Sequence, residues 1–169
     1  MNQILTVLNY LGYAATVIVV ITTIIAIVAW FKGILPALVR LGNGLATRKI
    51  AIFAKSDTLS SLSSLLTDSG LISSKNIVHI AKEDDFGKAE GSTLFLVYWP
   101  DWKDKLMEIK NKKLDGEALV VYAPRSSGMI PENIMAELDK GRNVAVVNFR
   151  GRLLNDIVTA MITTGYTKK

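Results

Sequence analysis

From Met1 to Phe31 the chain carries no charged residue, and all 20 Lys and Arg and all 15 Asp and Glu lie beyond that point. The run Leu11 to Trp30 is uninterrupted by charge and rich in Ile, Val and Ala. It supplies the ~20 apolar residues needed to cross a ~30 Å hydrocarbon layer at 1.5 Å per residue. Tyr10 and Tyr13 flank one end and Trp30 and Phe31 the other, where interfacial rings prefer to sit. Lys32, Arg40, Arg48 and Lys49 follow the run, whereas no basic side chain precedes it. The positive-inside rule then predicts a single-pass protein of the inner (plasma) membrane, with its N-terminus outside and the rest cytoplasmic. A cleaved signal peptide would want a basic start, a shorter apolar stretch and a small-residue cleavage site, and a helix inside a soluble core would rarely stay charge-free so long. The expected division is a transmembrane helix over 1–32, an interfacial linker helix over 33–48, and a cytoplasmic domain over 49–169. Pro36 and Arg40 lie in the linker, and Asn43-Gly44 is expected to end its helix.

Within the apolar segment Asn2, Asn9, Thr16 and Thr23 recur every seven residues. At that spacing they drift only ~20° per step and share one helix face. Gly12, Ala15 and Ala26 lie on neighbouring positions and permit close helix approach. Polar groups in lipid are costly when unpaired, so the stripe predicts contact with identical helices or a water-filled lumen. The alternative is a plain monomeric tether, because threonine can also bond its own backbone.

Beyond Lys49 the pattern changes to short apolar runs alternating with amphipathic stretches. The runs 49–54, 76–80, 93–98, 118–122 and 144–149 are β-branched and continuous rather than alternating, as strands of a parallel sheet buried on both faces read. Helices are expected over 56–66, with Asp57 and Thr58 as capping residues, over 102–112, over 131–138, and over 153–164 before Gly165. A short, weak crossover is expected over 84–91. This alternation predicts an α/β domain of flavodoxin-like type, three layers around a five-stranded parallel sheet.

The whole chain has a net charge of +5 and a mean hydropathy of +0.31. The basic balance favours anionic partners such as nucleotides, nucleic acid or acidic headgroups without choosing among them. With no cysteine there is no disulfide, no thiolate catalysis and no Cys-ligated metal; with the single histidine His79, expected inside a strand as a core or half-buried residue, a His-based metal site is not expected either. In sheets of this kind ligands bind beyond the carboxyl ends of the strands, near the point where strand order reverses. The residues expected there are Lys55, Ser56 and Thr58 after the first strand, Trp99 after the third, Arg125 and Ser126 after the fourth, and Arg150 and Arg152 after the fifth. Arginine forks fit phosphates, hydroxyls and a helix N-terminus add donors, and the Trp99 ring is placed to stack on a base. Arg150-Gly151-Arg152 is the most suggestive piece, since glycine between two arginines lets the backbone approach an anion.

Enzyme readings fail at specific positions. A phosphoacceptor receiver needs an acidic pair after the first strand and a phosphorylatable Asp ending the third; here Lys55-Ser56 and Tyr98-Trp99 stand there. A flavodoxin phosphate loop would be thin at Ser56-Asp57-Thr58, and Asp57 repels phosphate. The glutamate of a TIR-type NAD hydrolase has no counterpart, and no Walker motif, nucleophile elbow or carboxylate dyad is visible. No catalytic residue, metal or cofactor is therefore expected. One apolar helix joined to such a domain, with the Thr16/Thr23 face, Ala123-Pro124-Arg125 and Phe149-Arg-Gly-Arg152, resembles the small membrane effectors of bacterial antiphage nucleotide signalling. It is similar in plan to the transmembrane effectors of the Hailong system and to the CARF–transmembrane effectors of type III CRISPR systems. The resemblance implies a homotetrameric, pore-forming ion channel gated by a nucleotide or short oligodeoxyadenylate, made by a partner nucleotidyltransferase. The other reading is a membrane-anchored, TIR-like or receiver-like protein-interaction module with no nucleotide ligand.

Overall fold

In the computed structural model the backbone is described for residues 2–164, and side chains within this range are described except for 2–5, 7–8, 37–41 and 43–46. The side chains of Asn2 and Arg40, and Gly165, therefore lie outside the described residues. The chain forms two compact units, Met1–Gly42 and Asn43–Lys169.

The described residues of the first unit are helical and belong to helix α1 (Asn2–Thr47). Its stretch Asn9–Pro36 has a mean hydropathy of 2.6 and is long and apolar enough to cross a membrane, and no residue of its apolar window is buried within the protein. Its 28 residues extend about 42 Å, more than a ~30 Å hydrocarbon layer requires. A helix this apolar, with no protein packed on it, has lipid or other helices as its natural surroundings. Trp30 and Phe31 meet edge to face, ring centres 5.2 Å apart, at the C-terminal end of the stretch. The linker departs from expectation. The helix neither breaks between 32 and 33 nor ends at Asn43-Gly44, but runs through Pro36 to Thr47 as one element. Proline removes one backbone donor, and the helix-favouring Leu and Ala residues around it carry the spiral on both sides. The threonines of the polar stripe bond their own backbone, as the tether alternative allows. Thr16 donates to the Gly12 carbonyl at 2.9 Å and Thr23 to that of Val19 at 2.8 Å, so these hydroxyls need no partner helix.

The second unit is a five-stranded, all-parallel sheet in the order β2-β1-β3-β4-β5. The strands are β1 (Ile50–Phe53), β2 (Ile77–Ile80), β3 (Leu94–Tyr98), β4 (Ala118–Tyr122) and β5 (Val144–Val147). This is the expected doubly wound order, with the reversal between β1 and β3. Each strand sends alternate side chains to opposite layers. Ile50, Ile52, Leu94, Leu96 and Val120 pack against α2 (Ser56–Asp68) and α6 (Arg150–Thr163), through Leu62, Leu66, Leu153, Ile157 and Met161. Phe53, Phe95, Val97, Leu119 and Val121 face the other layer. That layer holds α3 (Trp99–Trp102), α4 (Leu106–Lys112), α5 (Glu132–Asp139) and a 3₁₀ segment over Glu83–Ala89.

Three boundaries differ from the sequence reading. The expected helix over 102–112 is two, α3 and α4, separated by a turn at 103–105. The weak crossover is 3₁₀ rather than α. The fifth strand ends at Val147 and its helix begins at Arg150, so Arg150-Gly151-Arg152 is the first turn of a helix and not a loop. His79 is on the edge strand β2 and is exposed rather than buried, with Nε2 3.2 Å from Ser63 Oγ. Among the described residues two buried side-chain atoms, Ser92 Oγ and Trp102 Nε1, have no hydrogen-bond partner. An orphan of this kind costs about 1–3 kcal/mol, which marks both positions for attention.

Candidate functional site

The carboxyl ends of β1, β3, β4 and β5 carry the expected residues, but the tertiary structure sorts them into three places. At the reversal between β1 and β3, the Lys55 backbone N–H donates to Asp101 Oδ2 at 2.7 Å. Lys55 and Asp101 line a crevice of about 330 Å³ with Lys82, Glu83, Asp104 and Lys105. Lys105 is 2.9 Å from Glu83 and 3.3 Å from Glu108, and these hydrogen-bonded carboxylates raise its pKa above the ordinary lysine value. Trp102 borders the crevice, and Lys55 Nζ lies 5.5 Å from the centre of its ring. Three lysines thus face three carboxylates, so the crevice offers no net attraction to an anion. Asp101 belongs to the loop after the third strand that the sequence points to, whereas Glu83 and Lys105 were not singled out; only the topology brings their loops together.

Trp99 is corrected most sharply. It is 6% exposed and belongs to the core beside Phe53 and Trp102, so it offers no face to a base. The chain turns directly from β3 into α3 at this residue, which carries the ring inward. Ser56 and Thr58 do lie in the first turn of α2, but neither caps it: the N-cap is Lys55, with no side-chain cap bond, and Ser56 takes a left-handed φ of 45°. Asp57 shares that turn and opposes an anion there.

The arginines diverge. Arg150 turns to α2, donating to the Ser61 carbonyl at 3.1 Å and to Ser61 Oγ at 2.9 Å, beside an open groove that includes Asp57 and Asp68. Arg125 begins a 3₁₀ turn (Arg125–Ser127) after β4, and its guanidinium carbon sits 4.7 Å over the Phe149 ring centre. Cation and ring attract, which holds the fork in a defined place. Arg152 lies 3.9 Å from Asp156 with its side chain largely free. Ser126 is exposed next to Arg125. Beside them is a cleft of about 520 Å³ lined by Arg125, Gly128, Met129, Ile130 and Asn148.

The N-terminus of α6 joins these pieces. Its N-cap is Phe149, no side chain caps it, and its first turn holds no acidic residue but two arginines. Against the helix dipole, positive charge in the first turn costs ~0.3–1 kcal/mol per residue, and an absent cap forgoes about 1 kcal/mol. At Gly151 an added Cβ would meet nothing within 4 Å, so the turn is open to approach. Phe149, 50% exposed, offers an aromatic face at this end of the sheet, where the sequence reading expected Trp99 to stack on a base. Among the described residues no cluster of His, Asp and Glu is placed to hold a metal ion. No family model, curated protein or solved structure matches the chain.

Proposed function

We propose that this protein is an oligomeric membrane effector whose α/β domain senses a phosphate-bearing ligand at the end of β4 and β5. The observation that carries the reading is the first turn of α6: uncapped, doubly basic and open at Gly151. Local rules that a sequence breaks without evident gain cluster at functional sites. A bound phosphate would reverse each unfavourable element, meeting backbone donors, the dipole and guanidinium forks together. Arg125 and Phe149 form a platform beside it, suited to a base or a sugar face. A nucleotide or short oligonucleotide has both chemistries. The apolar helix anchors the domain, and ligand-driven repacking of identical subunits would act on the helices as a gated pore.

Titration of the full-length protein in detergent with nucleotides and short oligonucleotides tests this site. Arg152→Ala and Arg125→Ala are each expected to weaken binding roughly ten- to a hundred-fold, the loss of one charge-assisted bond of ~1.5–3 kcal/mol. Binding of an oligonucleotide should fall as salt rises. Binding indifferent to both arginines would remove the site, and a liposome conductance that never responds to ligand would remove the gate.

Orientation is tested separately. A reporter fused after Lys169 is expected to be cytoplasmic in intact cells, on the strength of Lys32, Arg48 and Lys49 following Trp30. Access of external protease to the domain would reverse it. A second reading, an anchored protein-docking module, is favoured by one observation: Met129, 93% exposed, lies at the cleft beside Arg125. Loss of a protein partner on Met129→Ser, with nucleotides unbound, would support that reading instead.

A further inference from the structure

Helix α1 is longer than a bilayer needs, and its excess carries a pattern of its own. Trp30 and Phe31 stand where interfacial rings sit, and about 24 Å of helix follows them before Thr47. In that stretch positions 34, 38, 41 and 45 hold Ile, Leu, Leu and Leu, separated by steps of four, three and four residues. This is the spacing of a coiled-coil seam, which keeps its members on one helix face. Lys32, Arg40, Asn43 and Thr47 fall off the seam, as do Pro36 and the glycines, and Arg48 at the next seam position ends it. Inside lipid nearly every position is apolar and such a spacing selects nothing; beyond the interfacial rings it separates apolar from polar. Ile34 is 49% exposed. The glycines and Pro36 also lower the intrinsic helix preference of this stretch, and helices of that kind persist by packing an apolar face.

We propose that this seam packs against the same segment of a second copy of the chain, as a parallel helical stalk at the membrane surface. Identical helices that cross one bilayer in one orientation run parallel, with equivalent positions level, so seam meets seam. The charges suit that partner. Lys32 and Arg40 lie away from the seam, and the flanking positions 35, 37, 42 and 44 hold Leu, Ala, Gly and Gly, so no like charges confront each other across the contact. The hydroxyls of Thr16 and Thr23 satisfy themselves on their own backbone, whereas an apolar seam outside lipid leaves water only against another apolar surface. The inference rests on α1 as a membrane span, which carbonate extraction tests by itself, and not on the α6 turn, so the stalk and the phosphate site can fail separately.

The chain has no cysteine of its own, so single cysteines report the contact in the full-length protein in native membranes. Under copper-phenanthroline oxidation, Ile34→Cys, Leu38→Cys and Leu41→Cys are expected to give disulfide-linked dimers about ten-fold more than Arg40→Cys and Asn43→Cys, since a bridge needs Cα atoms within ~7 Å. Adding Leu41→Lys to Ile34→Cys is expected to suppress the link, because it sets two cations against each other in the seam, whereas Val39→Lys off the seam leaves it unchanged. Absence of links at all three seam positions overturns the proposal: each helix then tilts alone to fit its apolar length into the bilayer. Equal yields on and off the seam, or equal suppression by Leu41→Lys and Val39→Lys, overturn it as well, since copies then meet by random collision. So does a seam cysteine that links to a different protein instead of a second copy.

Discussion

Leu96→Ala is expected to destabilise the α/β domain by about 2–5 kcal/mol. Leu96 is fully buried on β3, the middle strand, opposite Ile52 on one side and Val120 on the other. It packs in the layer formed by α2 and α6, where Leu62, Leu66, Leu153 and Ile157 close over the sheet. Deleting its three outer carbons removes their transfer free energy and leaves a void that four surrounding elements cannot easily collapse into. Against a total of roughly 5–15 kcal/mol the loss is a large share. Leu114→Ala, at a residue 69% exposed, is expected to stay within about 0.5 kcal/mol. Denaturant unfolding followed by Trp99 and Trp102 fluorescence separates the two. Equal effects at both positions would contradict the central placement of β3.

The larger effect concerns location. Deleting residues 9–36 is expected to move the chain from a carbonate-resistant membrane pellet to the soluble fraction. The deleted stretch is strongly apolar despite its Asn9, Thr16 and Thr23 stripe, and none of its apolar window is buried within the protein, so that surface leaves water only in lipid or against other helices. Val20→Arg provides a graded version. Near the middle of the span, that exchange costs ~3 kcal/mol on an insertion scale, a substantial part of what the helix gains, without abolishing insertion. If carbonate extracts the unaltered chain, the helix lies on protein or on the membrane surface and does not span it.

The candidate site was legible in its residue types more than in its geometry. Arg125, Arg150 and Arg152 do stand at the strand ends, because strand ends are set by where the apolar runs stop. Their directions are not local properties. Arg150 is drawn to Ser61 on α2, 89 residues away, and Arg125 to Phe149 across the gap between two loops. The helix start at Arg150 was hidden for a related reason: Arg-Gly-Arg has neither the cap nor the acidic first turn by which helices announce themselves. The threonines of α1 illustrate the converse. Their seven-residue spacing is plain, but their bonds to the carbonyls of Gly12 and Val19 show that sharing a face does not create a need for partners.

By itself the sequence determined the long apolar helix and the five-stranded parallel sheet. Charge-free length and continuous β-branched runs are one-dimensional signals, and burial on every side requires them wherever they occur in space. The strand order followed as well, since short right-handed crossovers leave few alternatives. Only the tertiary structure decided which aromatic ring is available and where the cavities lie. Trp99 and Phe149 both follow a strand end, yet one is buried by the turn into α3 and the other left half in solvent, beneath Arg125. A cavity at the opposite end of the sheet joins Phe53, Phe86, Ser92 and Glu117, whose neighbourhood exists only after the sheet has brought four separate segments together. Burial and hydrogen-bond satisfaction are sums over neighbours distant in the chain, and no pattern within a local window contains them.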